Sequence, residues 1–135
     1  MSELLQAKIL VVDDEDFMLK QVGDILRKAG LEVLTAGSGE EALRILQESR
    51  CDVVMSDVRM QGMSGLELLK QVKTDQPETA FVVMTAYSDS YGIKEALMQG
   101  ADEYITKPFK SHEVTLVVER AYWSARSNRK RAESI

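Results

Sequence analysis

The chain has 135 residues, 44% of them hydrophobic, which is enough for one domain with one hydrophobic core. Its formal net charge of -5 argues against binding nucleic acid or anionic membrane through the surface as a whole, because both need a positive field. No apolar run approaches the roughly 20 residues of a bilayer-spanning helix, and no signal-peptide pattern is present, so a cytoplasmic protein without membrane contact is expected.

The first predicted element is a strand at Ile9–Val12, where four apolar residues follow one another and three are β-branched. A continuous run of this kind is typical of a central parallel strand that is buried on both faces. It stops abruptly at four consecutive acidic residues, 13–16. Carboxylates this close repel one another unless water or a cation separates them, so a positive charge is expected beside them.

Strands and helices alternate along the rest of the chain. Helical spacing of apolar residues predicts a helix after each strand, and Gly62 and Gly65 are expected to loosen the loop before the third helix. The other predicted strands are Glu32–Ala36, Val53–Asp57, Phe81–Ala86 and Glu103–Thr106. Residues that begin or end helices are Gly30, Ser38, Pro77, Ser88 or Asp89, Gly100 and Ser111.

This alternation predicts an α/β fold, a single doubly wound (βα)5 domain whose open parallel sheet carries helices on both faces. Ligands of such sheets bind beyond the carboxyl ends of the strands. Side chains with useful chemistry lie at or just past those ends: Asp13, Asp14, Asp57, Thr85 and Lys107. Their convergence on one edge is the strongest functional signal in the sequence.

These residue types suit magnesium-assisted phosphoryl transfer. Mg²⁺ prefers oxygen ligands and is commonly held by one or two carboxylates plus phosphate. A carboxylate such as Asp57 can attack phosphorus if the charge on the phosphoryl oxygens is neutralised, which Lys107 and the Thr85 hydroxyl could help to do. Any one aspartate after a strand is more commonly a helix cap or turn former, so the combination carries the prediction.

The chain resembles response-regulator receiver domains of bacterial two-component signalling, a similarity that covers about residues 8–122. The resemblance implies the strand order 2-1-3-4-5. The matching motifs are Asp13-Asp14, Asp57 with Met60 and Gly65 downstream, Thr85-Ala86, and Tyr104 followed by Lys107-Pro108-Phe109.

By that resemblance Asp57 is the phosphoacceptor, supplied by a sensor histidine kinase or a phosphotransfer protein. Asp13, Asp14, Asp57 and the backbone carbonyl of Arg59 would bind Mg²⁺, with Mn²⁺ as an alternative.

The resemblance further implies that Thr85 and Lys107 contact the phosphoryl group and that the bond between Lys107 and Pro108 is cis. Thr85 and Tyr104 would form the switch. The face made by the fourth helix, the fifth strand and the fifth helix would carry the output, with homodimerisation through this face as an expected form. The domain would not be an enzyme beyond promoting its own phosphotransfer and dephosphorylation.

Three residues near the expected site depart from the family or flank its motifs. Gln61 stands where the family usually has proline, so the rigidity of the loop after Asp57 is in question, although no catalytic group is lost. Arg59 and Tyr87 are bulky and are expected to slow the attack of water on the phosphoryl group.

The predicted receiver domain spans residues 5–123, and residues 124–135 form a basic, polar tail or linker. The chain is then either a single-domain phosphorylation shuttle or the regulatory part of a longer response regulator, for which a transcriptional one is a weaker suggestion. The basic tail could touch nucleic acid, but no direct binding by the domain is expected. Leu116 and Trp123 are predicted on the exposed side of the last helix, and Cys51 is predicted as an unreactive buried residue.

Three other functions fit parts of the pattern. A metal-dependent phosphohydrolase would use Asp14-Glu15-Asp16 as its nucleophile loop and leave Asp57 as a ligand only. A flavin-binding module shares the sheet order but would need a phosphate-binding first loop, which four acids disfavour. The third is an interaction domain that kept the fold without phosphorylation, against which an intact Asp57 and Lys107 argue.

Overall fold

The computed structural model describes residue 4, residues 6–86 and residues 88–134, with side chains as far as residue 127. The strands are β1 (Lys8–Val12), β2 (Glu32–Ala36), β3 (Val53–Asp57), β4 (Ala80–Ala86) and β5 (Glu103–Lys107). The helices that follow them are α1 (Asp16–Lys28), α2 (Gly39–Glu48), α3 (Gly65–Asp75), α4 (Ser90–Met98) and α5 (Ser111–Ser134).

All strand pairs are parallel, and the sheet has the order β2-β1-β3-β4-β5, as predicted. β1 lies between β2 and β3, so it is an interior strand as its apolar run indicates, but β3 holds the middle position. The order reverses between β1 and β3, which is where a doubly wound sheet opens a crevice at its carboxyl edge.

Two hydrophobic cores lie on opposite faces of the sheet, because successive strand side chains point to opposite faces. Ile9 and Val11 pack with residues of α1 and α5 on one face. Leu10 and Val12 pack with residues of α2, α3 and α4 on the other. Burial on both faces explains why β1 and β3 are apolar along almost their whole length.

The helix starts follow local capping chemistry. The Ser64 side chain accepts the Glu67 backbone N–H, and the Glu67 carboxylate accepts the Ser64 N–H, a complete capping box at the start of α3. Of the two predicted caps of α4, Asp89 is the one used. Ser111 was predicted to cap the last helix and is instead its first residue.

The last helix is longer than the sequence pattern indicated. Ala125 is the last buried residue among those of α5 whose side chains are described, yet α5 continues through the polar segment to Ser134. Leu116 and Trp123 are exposed on it, as predicted. Within the described residues, none of the helices is both long and apolar enough to cross a bilayer.

Cys51 lies in the core between the sheet and its helices. Burial raises the pKa of its thiol to about 11, which keeps it protonated and unreactive at neutral pH.

Candidate functional site

Three aspartates and one lysine meet at the carboxyl edge of the sheet. Asp13 and Asp14 follow β1, while Asp57 and Lys107 are the last residues of β3 and β5. One carboxylate oxygen from each aspartate lies within 4.8 Å of the other two. Asp13 is fully buried, Asp57 is 9% exposed and Asp14 is exposed, so the cluster opens to solvent on one side.

Lys107 is the positive charge that the acidic run requires. Its Nζ donates to Asp57 Oδ2 at 3.1 Å and to Asp13 Oδ2 at 3.3 Å. Burial by itself lowers the pKa of this ammonium, but the charges of Asp57 and Asp13 outweigh burial and raise the pKa above its ordinary value. Lys107 therefore stays charged between the two carboxylates at any physiological pH.

The single ammonium does not balance the acidic groups around it. Burial, and less strongly the charge of Asp57, raise the pKa of Asp13, although the Glu15 backbone N–H, donated at 3.0 Å, and Lys107 both lower it. Three carboxylates thus lie beside a single lysine, whose ammonium contacts two of them. Clustered hard oxygen donors with surplus negative charge and an open side fit a divalent cation such as Mg²⁺, which keeps several waters.

The backbone of Asp57 is in close contact with the start of α3 at Gly65. A Cβ atom on Gly65 would lie 2.0 Å from the Asp57 carbonyl oxygen, and the Gly65 N–H donates to the Val58 carbonyl at 2.8 Å. Gly65 was predicted to loosen the loop, but it is the first residue of α3 and packs against the end of β3. Because glycine has no side chain, the helix can start in contact with the backbone of the candidate phosphoacceptor, Asp57.

Thr85 is buried at the same edge, but its hydroxyl is not directed at the carboxylate cluster. It donates to Asp89 Oδ2 at 3.4 Å. Asp89 caps α4 by accepting the Gly92 N–H at 3.0 Å, and it also accepts two hydrogen bonds from Arg59, both at 3.1 Å. These contacts lower the pKa of Asp89, with the Gly92 N–H the largest influence.

Comparison with known proteins identifies the family. A family model for the response regulator receiver domain matches residues 9–119. The chain belongs to this family. It is 42% identical over 113 residues to the DNA-binding transcriptional regulator NtrC of Escherichia coli, a match that covers 84% of this chain and 24% of NtrC. The chain spans about a quarter of the length of the first curated relatives it matches.

Solved structures agree with that assignment. NtrX from Brucella abortus in complex with ADP superimposes with a TM-score of 0.91 at 32% identity, over 96% of this chain and 30% of that chain. The chemotaxis protein CheY4 of Vibrio cholerae superimposes with a TM-score of 0.81 at 34% identity, over 86% of this chain and 98% of its own. Receiver domains therefore occur both alone and within longer regulators, and this chain is similar to both kinds.

The β3–α3 loop of this receiver domain is held by two acceptors, one in the loop after β1 and one in the first turn of α2. The Gln61 N–H donates to Asp14 Oδ2 at 3.1 Å. The Met63 N–H donates to Glu40 Oε2 at 3.3 Å, two residues further along. With the capping box at Ser64, the loop is anchored at three points although it lacks the usual proline.

The remaining predicted residues of the receiver domain have varied positions. The Lys107–Pro108 peptide bond is cis. Tyr104 is 42% exposed on β5, so its ring lies outward in this state. The backbone N–H of Arg59 approaches Asp57 Oδ1 at 3.4 Å, while its guanidinium lies against Asp89. Tyr87 lies outside the described residues.

Sequence reasoning missed two contributors to this site. Asp89 was identified only as a helix cap, and Glu40 was not identified at all. The sequence places both acids at helix starts, where a capping role is the ordinary explanation. Only the tertiary contacts with Arg59 and Met63 reveal their second role.

Proposed function

We propose that this receiver domain is a phosphorylation switch that acts in the cytoplasm and accepts a phosphoryl group on Asp57. The donor is a phosphohistidine of a sensor histidine kinase or a phosphotransfer protein. The observation that carries the proposal is the Lys107 ammonium within 3.3 Å of both Asp57 and Asp13, beside a carboxylate cluster open to solvent.

The proposed reaction is a displacement at phosphorus. An oxygen of Asp57 attacks, the phosphorus–nitrogen bond of the phosphohistidine breaks, and its electron pair stays on the ring nitrogen, so that the protonated donor leaves as neutral histidine. Mg²⁺, or alternatively Mn²⁺, supplies charge neutralisation when bound by Asp13, Asp14, Asp57 and the Arg59 carbonyl. Lys107, whose Nζ lies 3.1 Å from Asp57 Oδ2, neutralises charge on a phosphoryl oxygen.

The product stays attached to the chain, so the domain acts as a switch and not as an enzyme with turnover. The phosphoryl oxygens compete with Asp89 for the Thr85 hydroxyl, whose present hydrogen bond is long at 3.4 Å. When Thr85 moves inward, the exposed Tyr104 ring can follow it. This is a two-state element biased by new charge-assisted hydrogen bonds.

The output of the switch is assigned to the face made by α4, β5 and α5. This face carries exposed hydrophobic residues: Leu97, Met98, Tyr104 and Leu116. A groove of about 350 Å³ lies between β5 and α5 beside Tyr104. The proposed consequence of phosphorylation is homodimerisation through this face, or docking of an output domain in a longer regulator.

Phosphorylation and assembly can be tested together. The chain is treated with acetyl phosphate or beryllofluoride, with and without Mg²⁺, and its mass and oligomeric state are measured. We expect magnesium-dependent modification of the parent and of Asp75→Asn, a remote exposed control, and loss of modification in Asp57→Asn. Equal labelling of Asp57→Asn would overturn the proposal, and a label on Asp14 would favour the phosphohydrolase alternative.

A further inference from the structure

The residue that departs from the family pattern makes a contact that the usual residue could not make. Gln61 donates its backbone N–H to Asp14 Oδ2 at 3.1 Å. Proline has no N–H to donate, so a proline at this position would leave Asp14 without this partner. The contact joins the loop after β1 to the loop after β3, across 47 positions of sequence.

Each carboxylate of the cluster is held by one backbone N–H. Asp13 accepts from Glu15 at 3.0 Å, and Asp57 accepts more weakly from Arg59 at 3.4 Å. Both also accept from the Lys107 ammonium. Asp14 differs, because within the described part of the chain the Gln61 N–H is its one hydrogen-bond donor.

An exposed carboxylate without a hydrogen-bond donor would sample several rotamers. Binding a cation would then cost the conformational entropy of those rotamers. With its Oδ2 on Gln61, Asp14 is held in the pose in which the three carboxylates offer oxygens within 4.8 Å of one another. The loop that supplies this N–H is itself fixed by Glu40 and by the capping box at Ser64.

We infer that the Gln61 backbone N–H is a positioning group that orients Asp14 for binding a divalent cation. The inference rests on the proposed function, because it concerns the same metal site. Hydrogen bonds that orient a metal ligand typically contribute 10–100-fold to metal affinity. Asp14 is exposed to competing water, so an effect at the lower end of this range is expected.

The inference is tested by a pair of variants at one position. Gln61→Pro removes the backbone N–H, whereas Gln61→Ala keeps the N–H and shortens only the side chain. Mg²⁺ affinity is measured by titration calorimetry. We expect binding by Gln61→Ala within about twofold of the parent and binding by Gln61→Pro weaker by about tenfold. Unchanged or tighter binding by Gln61→Pro, or an equal loss in both variants, would overturn the inference.

A second measurement does not depend on how proline affects the loop. The amide resonance of Gln61 is followed in the metal-free parent and in Asp14→Ala. We expect an upfield shift and faster hydrogen exchange in Asp14→Ala, because the acceptor is lost. An unchanged resonance refutes the contact. If the parent itself binds no Mg²⁺, the metal site of the proposed function is wrong. If the parent binds Mg²⁺ and Gln61→Pro binds it equally well, only the present inference is wrong.

Discussion

The two edges of the sheet use the same charged residue types for opposite purposes. At the amino edge, Lys73 donates to Asp102 at 2.9 Å and to the Thr79 carbonyl at 2.8 Å, and Asp102 also accepts the Phe81 N–H at 2.8 Å. One acid therefore meets one base, and the backbone takes up the remaining hydrogen-bonding capacity. At the carboxyl edge, three carboxylates cluster beside one ammonium, that of Lys107, which contacts Asp13 and Asp57.

The difference separates structural charge from functional charge. A largely buried pair that also bonds the backbone ties its elements together, here α3, β4 and the chain before β5. A cluster with surplus negative charge costs stability and is retained where chemistry needs it. Removing one carboxylate charge at each edge should accordingly change stability in opposite directions.

The largest effect is expected at the amino edge. Asp102→Ala removes the side-chain acceptor of the Phe81 N–H and leaves the largely buried Lys73 without its carboxylate partner, which should lower the free energy of unfolding by about 3 kcal/mol. Urea denaturation measures this loss. Asp75→Ala, at an exposed position on α3, is the control and should change stability by less than about 0.5 kcal/mol. A loss below about 1 kcal/mol for Asp102→Ala would contradict the structural role of the pair.

A smaller loss is expected where α3 meets the carboxyl edge. In Gly65→Ala the new methyl group would collide with the Asp57 carbonyl, and the forced backbone shift should cost about 2 kcal/mol. Gly37→Ala is the matched control, since a Cβ there meets nothing within 4 Å. Unfolding in urea measures both variants, and acetyl phosphate labelling of Asp57 should slow only in Gly65→Ala. Equal stability of the two variants would show that the helix start can move freely.

The smallest effect, a gain in stability, is expected for Asp13→Asn without divalent cations. The substitution removes one buried charge while an amide oxygen can still accept the Glu15 N–H, and it should raise the free energy of unfolding by about 1 kcal/mol. Thermal unfolding in EDTA measures it. A loss of stability in EDTA would mean that the negative charge of the cluster is already neutralised without a cation.

The same variant has a defined dependence on pH. Because the pKa of Asp13 is raised in the folded state above its ordinary value of 3.8, the folded parent binds the proton more readily than the unfolded chain does. Parent stability therefore falls as pH rises from the ordinary pKa through the raised one. The advantage of Asp13→Asn should vanish in acid below both values and be complete at neutral pH.

The fold, and the meeting of the three aspartates and Lys107 at one edge, could be predicted because their signals are local. Apolar runs in β1 and β3 end on carboxylates, and parallel strands bring those ends to one edge. The contacts of Gln61 with Asp14 and of Arg59 with Asp89 join positions 47 and 30 residues apart, and no periodicity encodes them. The first also uses a backbone N–H, which is the same for every residue except proline.

The extent of α5 shows a different limit. Residues 124–134 lack an apolar stripe, so pattern alone suggested a linker. Alanine, arginine, lysine and glutamate in this segment are strong helix formers, however, and they extend a helix that the buried residues up to Ala125 have already nucleated.

The long α5 continues beyond the part that packs on the sheet. Its 24 residues extend roughly 36 Å, and it packs on β4 and β5 with buried residues from Val114 to Ala125. The segment after Ala125, residues 126–134, continues as helix for roughly 13 Å. In the proposed switch, a movement of the packed part of α5 would be carried along this extension to a molecule that contacts its end.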